Sequence, residues 1–130
     1  MENDRVKYHF SLQMNFKTDV DVEKVSKLIK LEPYKITPLS EAKGPNKTAK
    51  IWYRTKDFTE IYSDNMIDKF LKEVEENLKF LPELLKEFEG RCSLNLIFTG
   101  LNEFPVIGLS DYAIQTLAKL KINFYVDFLV

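Results

Sequence analysis

The stretch KTAKIWYRTK, residues 47–56, holds the only tryptophan of the chain among a run of cations. Read as a β-strand, it puts Ile51, Tyr53 and Thr55 on one face and Lys50, Trp52, Arg54 and Lys56 on the other, because side chains alternate along a strand. An indole flanked by cations on a sheet can stack a base of single-stranded nucleic acid while its neighbours neutralise phosphate. Trp, Tyr and Arg are equally the residue types that anchor protein–protein contacts. The third reading is structural: a bulge or a reversed phase turns Trp52 inward as a packing anchor. The sequence ranks these core anchor first, protein interface second and nucleic-acid platform third.

Other candidate chemistry is thin. His9, the sole histidine, lies on the polar face of an alternating run and reads as an exposed strand residue, with no nucleophile elbow or phosphate-cradling glycine loop to accompany it. Cys92, the sole cysteine, is in phase with Leu94, Leu96 and Phe98, and reads as a small buried apolar residue. One Cys and one His make neither an internal disulfide nor a Cys/His metal cluster. Carboxylate pairs such as Asp19/Asp21 and Glu75/Glu76 fall at helix starts or on solvated faces, where capping and solubility explain them. No catalytic residue, metal or cofactor is implied.

Composition sets the frame for these residues. A chain of 130 residues is read as one domain, 1–130, long enough to bury a full core, and 45% hydrophobic with 30% charged residues is the balance of a soluble globular protein. The N-terminus MENDRVKYHF lacks the order of a signal peptide and no apolar run reaches membrane-span length, so the expected location is cytoplasmic. The net charge of −1 argues against a general nucleic-acid binder, yet it is unevenly spread: residues 35–56 are net +5 and residues 64–90 net −4. The first segment reads either as a basic lobe for an acidic partner or as a solvated face neutralised by the second.

Hydrophobic periodicity supplies the elements. Residues 5–16 alternate without a fault, with Val6, Tyr8, Phe10, Leu12, Met14 and Phe16 on one side, which predicts a strand of a sheet covered by helices on a single face. Asp19 or Asp21 caps a helix carrying Val22, Val25, Leu28 and Ile29, ended by Glu32-Pro33. Residues 35–37 and 50–56 are read as a hairpin with a turn at Gly44-Pro45-Asn46. A helix from Ser63 or Asp64 to about Phe80, a corner, and a short helix opening with Pro82 and stopped by Gly90 come next. Strand 92–98 is followed by a long connection and a helix capped by Ser110, with Leu109 and Ile114 placed as a hydrophobic staple. The chain closes in the alternating run 122–130. The order predicts a two-layer α+β sandwich, a mostly antiparallel sheet with helices on one face, related to the ferredoxin-like arrangement.

In this order the signals resemble a known family. The helix end LIKLEP (Leu28–Pro33), the turn Lys43-Gly44, Trp52 in KIWYR, the broken helix KFLPELL, and the closing helix and strand from Leu109-Ser110 through Leu117-Ala118 to Phe128 are similar to the bacterial family called domain of unknown function 4279. The resemblance spans nearly the whole chain and rests on order and spacing. It implies the fold and single-domain behaviour. It carries no assigned activity and no catalytic residue.

With every strand in the assigned phase, the uncovered sheet face displays Lys7, His9, Ser11, Gln13, Lys50, Trp52, Arg54, Ser93, Asn95, Tyr125 and Asp127. The candidate binding surface is therefore Lys50, Trp52, Arg54, His9 and Tyr125. The expected function is that of a small, non-enzymatic cytoplasmic module of immunity or regulatory type, which binds a protein partner or a second copy of itself. The alternatives are single-stranded nucleic-acid binding on the open face and basic hairpin, with Asp127 opposing a phosphate there, and small-ligand sensing in a cleft between the 35–50 loop and the 99–109 connection.

Overall fold

The computed structural model describes residues 7–45, 47–55, 57–59, 62–63, 65–100 and 105–129. The expectations for Val6, Asn46, Lys56, Asp64 and Val130 lie outside them. Among the described residues, strands β1 (Lys7–Phe16), β2 (Lys35–Thr37), β3 (Ala49–Arg54), β4 (Gly90–Thr99) and β5 (Ile122–Leu129) form one open sheet in the order β2-β3-β1-β4-β5. Helices α1 (Val22–Ile29), α2 (Asn65–Val74), α3 (Leu81–Glu87) and α4 (Asp111–Leu120) supply the second layer. None of these helices is long and apolar enough to cross a membrane.

The topology follows from which strands can reach each other. β1 and β2 are separated by β3, which is antiparallel to both, and β4 is antiparallel to β1 on the other side. That is the split β-α-β arrangement of ferredoxin-like sheets. β5 then adds beyond β4 in parallel, which requires a crossover, and α4 provides it. The sheet is thus mixed, with one parallel pair at its edge.

The alternation of β1 buries Tyr8, Phe10, Leu12, Met14 and Phe16 against helix residues that include Val25, Ile29, Ile67, Leu71, Leu81, Leu85 and Leu117. Cys92 is part of this core, and burial pushes its thiol far above the ordinary range, so it stays protonated.

Local boundaries differ from the periodicity at informative places. Asp21, not Asp19, caps α1, its Oδ1 accepting from the Lys24 N–H at 3.1 Å. The helix stops before Glu32-Pro33, because Lys30 is left-handed with φ 56° and its N–H bonds back to the Ser26 carbonyl. The regular turns of α2 end at Val74 rather than Phe80, while Leu78 and Leu81 remain on the buried stripe. Pro82 lies in the first turn of α3, as its missing N–H favours. Gly90 does not stop that helix: the reversal falls at Glu89, with φ 49°, and Gly90 opens β4. Ser110 caps α4, its Oγ accepting from the Ala113 N–H at 3.0 Å. Ile114, placed for a staple with Leu109, is left exposed.

Candidate functional site

Trp52 lies on the open face in the phase that alternation predicts. Ala49, Ile51 and Tyr53 are buried beneath the helices, and Lys50, Trp52 and Arg54 point the other way. The expectation ranked first, a core anchor, is overturned by this placement. The ring is nonetheless held firmly. Its Nε1–H donates to the Ser11 hydroxyl on the neighbouring strand, and Ser11 is only 1% exposed. Tyr34, just ahead of β2, presents its ring edge-to-face at 5.7 Å and 79°, and its backbone N–H donates to the Trp52 carbonyl at 2.6 Å.

Arg54 extends the cluster. Its guanidinium carbon stands 5.1 Å from the centre of the Tyr34 ring, a cation–π distance, and its Nη2 donates to Asp57 Oδ1 at 2.9 Å. Asp57 also receives Lys7 Nζ at 3.4 Å and lies 3.4 Å from His9 Nδ1. One carboxylate therefore holds this end of the face together. No sequence pattern marks Asp57 or Tyr34, because both lie outside the regular alternation and reach the face only through the turns flanking β2 and β3.

His9 departs from its expected exposure, being only 8% exposed. β1 is central in the sheet, so neighbours cover its polar side: Ile97 is its cross-strand partner on β4, and Asp57 closes over it. Burial is the largest cause that holds the imidazole below its ordinary value of 6.5, with Arg54 and Lys7 adding to the effect and Asp57 opposing it. The unfolded chain then takes up the proton at higher pH than the folded one. The stability from this group is present above about pH 6.5 and falls as pH drops through the folded midpoint. Since the chain has one histidine, an NMR titration gives one ring signal, expected to titrate below 6.5 and lower still in Asp57→Asn. A wild-type midpoint at or above 6.5 contradicts this environment.

Tyr125 is 54% exposed on β5. The register sets Arg54, Ser11, Asn95 and Tyr125 in one row across β3, β1, β4 and β5. Three strand spacings of about 4.8 Å place Tyr125 roughly 14 Å from that cluster. The candidate residues are thus spread over the face: Lys50, Trp52 and Arg54 run along β3, His9 meets Arg54 through Asp57 at one end, and Tyr125 stands apart on β5. Between them runs a shallow polar trough of about 390 Å³, lined by Gln13, Asn15, Arg91, Ser93, Asn95, Asn123, Tyr125 and Asp127 among others. A second cavity of about 380 Å³ adjoins Trp52 on the other side, between the sheet and residues 41–43 and 48. Its lining comes from β1, β2, β3 and the 35–50 loop, with no described residue of the 99–109 connection.

A family model described as "Domain of unknown function (DUF4279)" matches residues 6–130. No curated protein and no solved structure matches the chain.

Proposed function

We propose, from the premise that the chain belongs to the DUF4279 family, that it is a non-enzymatic protein-interaction module of the bacterial cytoplasm, of immunity or regulatory type, whose docking surface is the open sheet face. The observation that carries the reading is the Trp52–Tyr34–Arg54 cluster, an aromatic and guanidinium group locked in place on a face that no helix among the described residues covers. Large, rigid side chains lose little conformational entropy when a partner covers them, which is why such groups dominate binding energy. Tyr125, half exposed, lies within the same standard-sized footprint.

Charge supports a protein partner over a nucleic-acid strand on this face. Asp57 compensates Lys7 and Arg54, and Asp127 lines the trough on the β5 side, so a phosphate backbone tracking the face would meet a carboxylate at each end.

The test is affinity capture from a native extract with the wild-type chain, Trp52→Ala, Arg54→Ala and a helix-face control, Lys27→Ala. A partner retained by the control and weakened roughly thirtyfold or more by Trp52→Ala is the expected result, since an interface anchor contributes about 2 kcal/mol or more. The same proteins captured equally by all variants, or turnover of a metabolite by the purified chain, overturns the reading.

A further inference from the structure

The cavity beside Trp52 is built by the connection between β2 and β3. After β2 the chain makes a single 3-10 turn, Leu39–Glu41, and swings back at Gly44, whose φ of 96° is open to glycine and strained for other residues. This loop stands over the sheet and closes one side of a space of about 380 Å³, within the range of small-molecule sites.

Register explains what lines it. Lys35 of β2 lies opposite Trp52, which lies opposite Gln13, and Thr37 lies opposite Lys50 in the adjoining row. Same-face neighbours on one strand are two residues apart, about 7 Å, so the rows bearing Lys35 and Lys50 flank one space. The loop contributes Lys43 and Glu41 to the same wall. The lining therefore holds three ammonium groups against one carboxylate. Among the described residues, no carboxylate is within ion-pairing distance of Lys35, Lys43 or Lys50, in contrast to the Asp57 cluster at the other end of β3. Cations gathered around one concavity raise the local potential and favour an anion there.

The other wall is aromatic. The indole N–H of Trp52 is committed to Ser11, so toward the cavity the ring offers apolar surface and not a donor. Gln13, Thr37 and Thr48 add neutral hydrogen-bonding groups.

We infer that this pocket binds a planar heterocycle carrying phosphate, the base-plus-phosphate unit of a nucleotide, with the phosphate among Lys35, Lys43 and Lys50 and the ring against Trp52. Side-chain cations do here what a glycine-rich loop does elsewhere, which is consistent with the absence of such a loop from the sequence. Two sources present this unit, a free mononucleotide and the 5′-phosphorylated end of a single strand. The site shares Trp52 with the proposed docking face but does not include Arg54 or Tyr34, and its test does not require a partner.

Isothermal titration calorimetry on the full chain at low salt decides it. The probes are the adenine, guanine, cytosine and uracil 5′-monophosphates, the corresponding nucleosides, inorganic phosphate, and a short 5′-phosphorylated oligonucleotide with its unphosphorylated counterpart. The expected result is binding of at least one mononucleotide, with its nucleoside and phosphate each weaker by roughly tenfold or more, and with affinity falling as salt rises. The variant Lys35→Gln/Lys43→Gln, two exposed changes whose folding is checked by thermal melting, is expected to weaken it roughly tenfold. An oligonucleotide that binds more tightly than the mononucleotide, and only when phosphorylated, makes a strand end the source. Otherwise the free nucleotide is the source. No heat from any mononucleotide or from the phosphorylated oligonucleotide overturns the inference, as does binding that the lysine double variant or salt leaves unchanged.

Discussion

Phe10→Ala is expected to remove about 3–5 kcal/mol of folding stability, the range for truncating a buried phenylalanine. Phe10 is 1% exposed, at the middle of the central strand. Its ring stacks on Phe70 of α2 at 4.5 Å and 12°, and meets Phe58 at 6.4 Å and 74°. The one side chain thus joins the sheet to α2 and to the segment that carries Asp57. A domain of this size has a total stability of about 5–15 kcal/mol, so the loss is a large share of the whole. Urea unfolding followed by Trp52 fluorescence measures it as a lowered midpoint at constant slope. Because Phe58 is next to Asp57, the variant is also expected to loosen the Asp57 contacts to Arg54 and His9. A loss below about 1 kcal/mol would show that the cavity closes by collapse and that the aromatic junction is not a keystone.

Gly90→Ala has the second largest expected effect, and it comes from space rather than conformation. Gly90 opens β4 directly opposite Phe16, and an added Cβ there would lie 2.4 Å from Phe16 Cδ1 and 2.7 Å from Cε1. The backbone carbonyl of Asn15 is 3.1 Å away on the same side. Phe16 is fully buried and packs edge-on against Phe88, so its ring has nowhere to move without disturbing the end of α3. Overpacking of this kind costs about 1–3 kcal/mol, occasionally more. The diagnostic is a double-mutant cycle with Phe16→Leu. If the clash is the cause, the two changes together destabilise less than the sum of each alone. Strict additivity would point to a backbone effect at Gly90 instead.

The same pair shows where sequence reading loses sight of the molecule. Gly90 follows a helix, and a glycine there reads as a helix stop by local logic. In the fold the left-handed reversal is carried by Glu89, and the glycine serves a ring that is 74 residues earlier in the chain. His9 is a second case. Alternation places it correctly on the polar side of β1, but its burial comes from β4 and from Asp57, neither of which is near it in sequence. Asp57 and Tyr34 escaped notice for a related reason: they act on the open face from turns, where no periodicity marks them.

What the sequence by itself determined is what local stereochemistry dictates. The two-residue period of β1, β3, β4 and β5 sorted the side chains into two faces and put Lys50, Trp52 and Arg54 on the same one, but that Trp52 points outward and is not a core anchor was decided by the fold. The helical period, a cap at Asp19 or Asp21 and the cap at Ser110 placed α1 and α4, and the succession of elements specified the α+β class. What only the tertiary structure decided is lateral. The order β2-β3-β1-β4-β5 brings Lys35, Trp52 and Gln13 into one row, separates Tyr125 from them, and folds Lys43 over the cavity. Neighbour relations across a sheet depend on which distant strands pair and in what register. That choice is made by the whole core packing at once, and no window of the chain contains it.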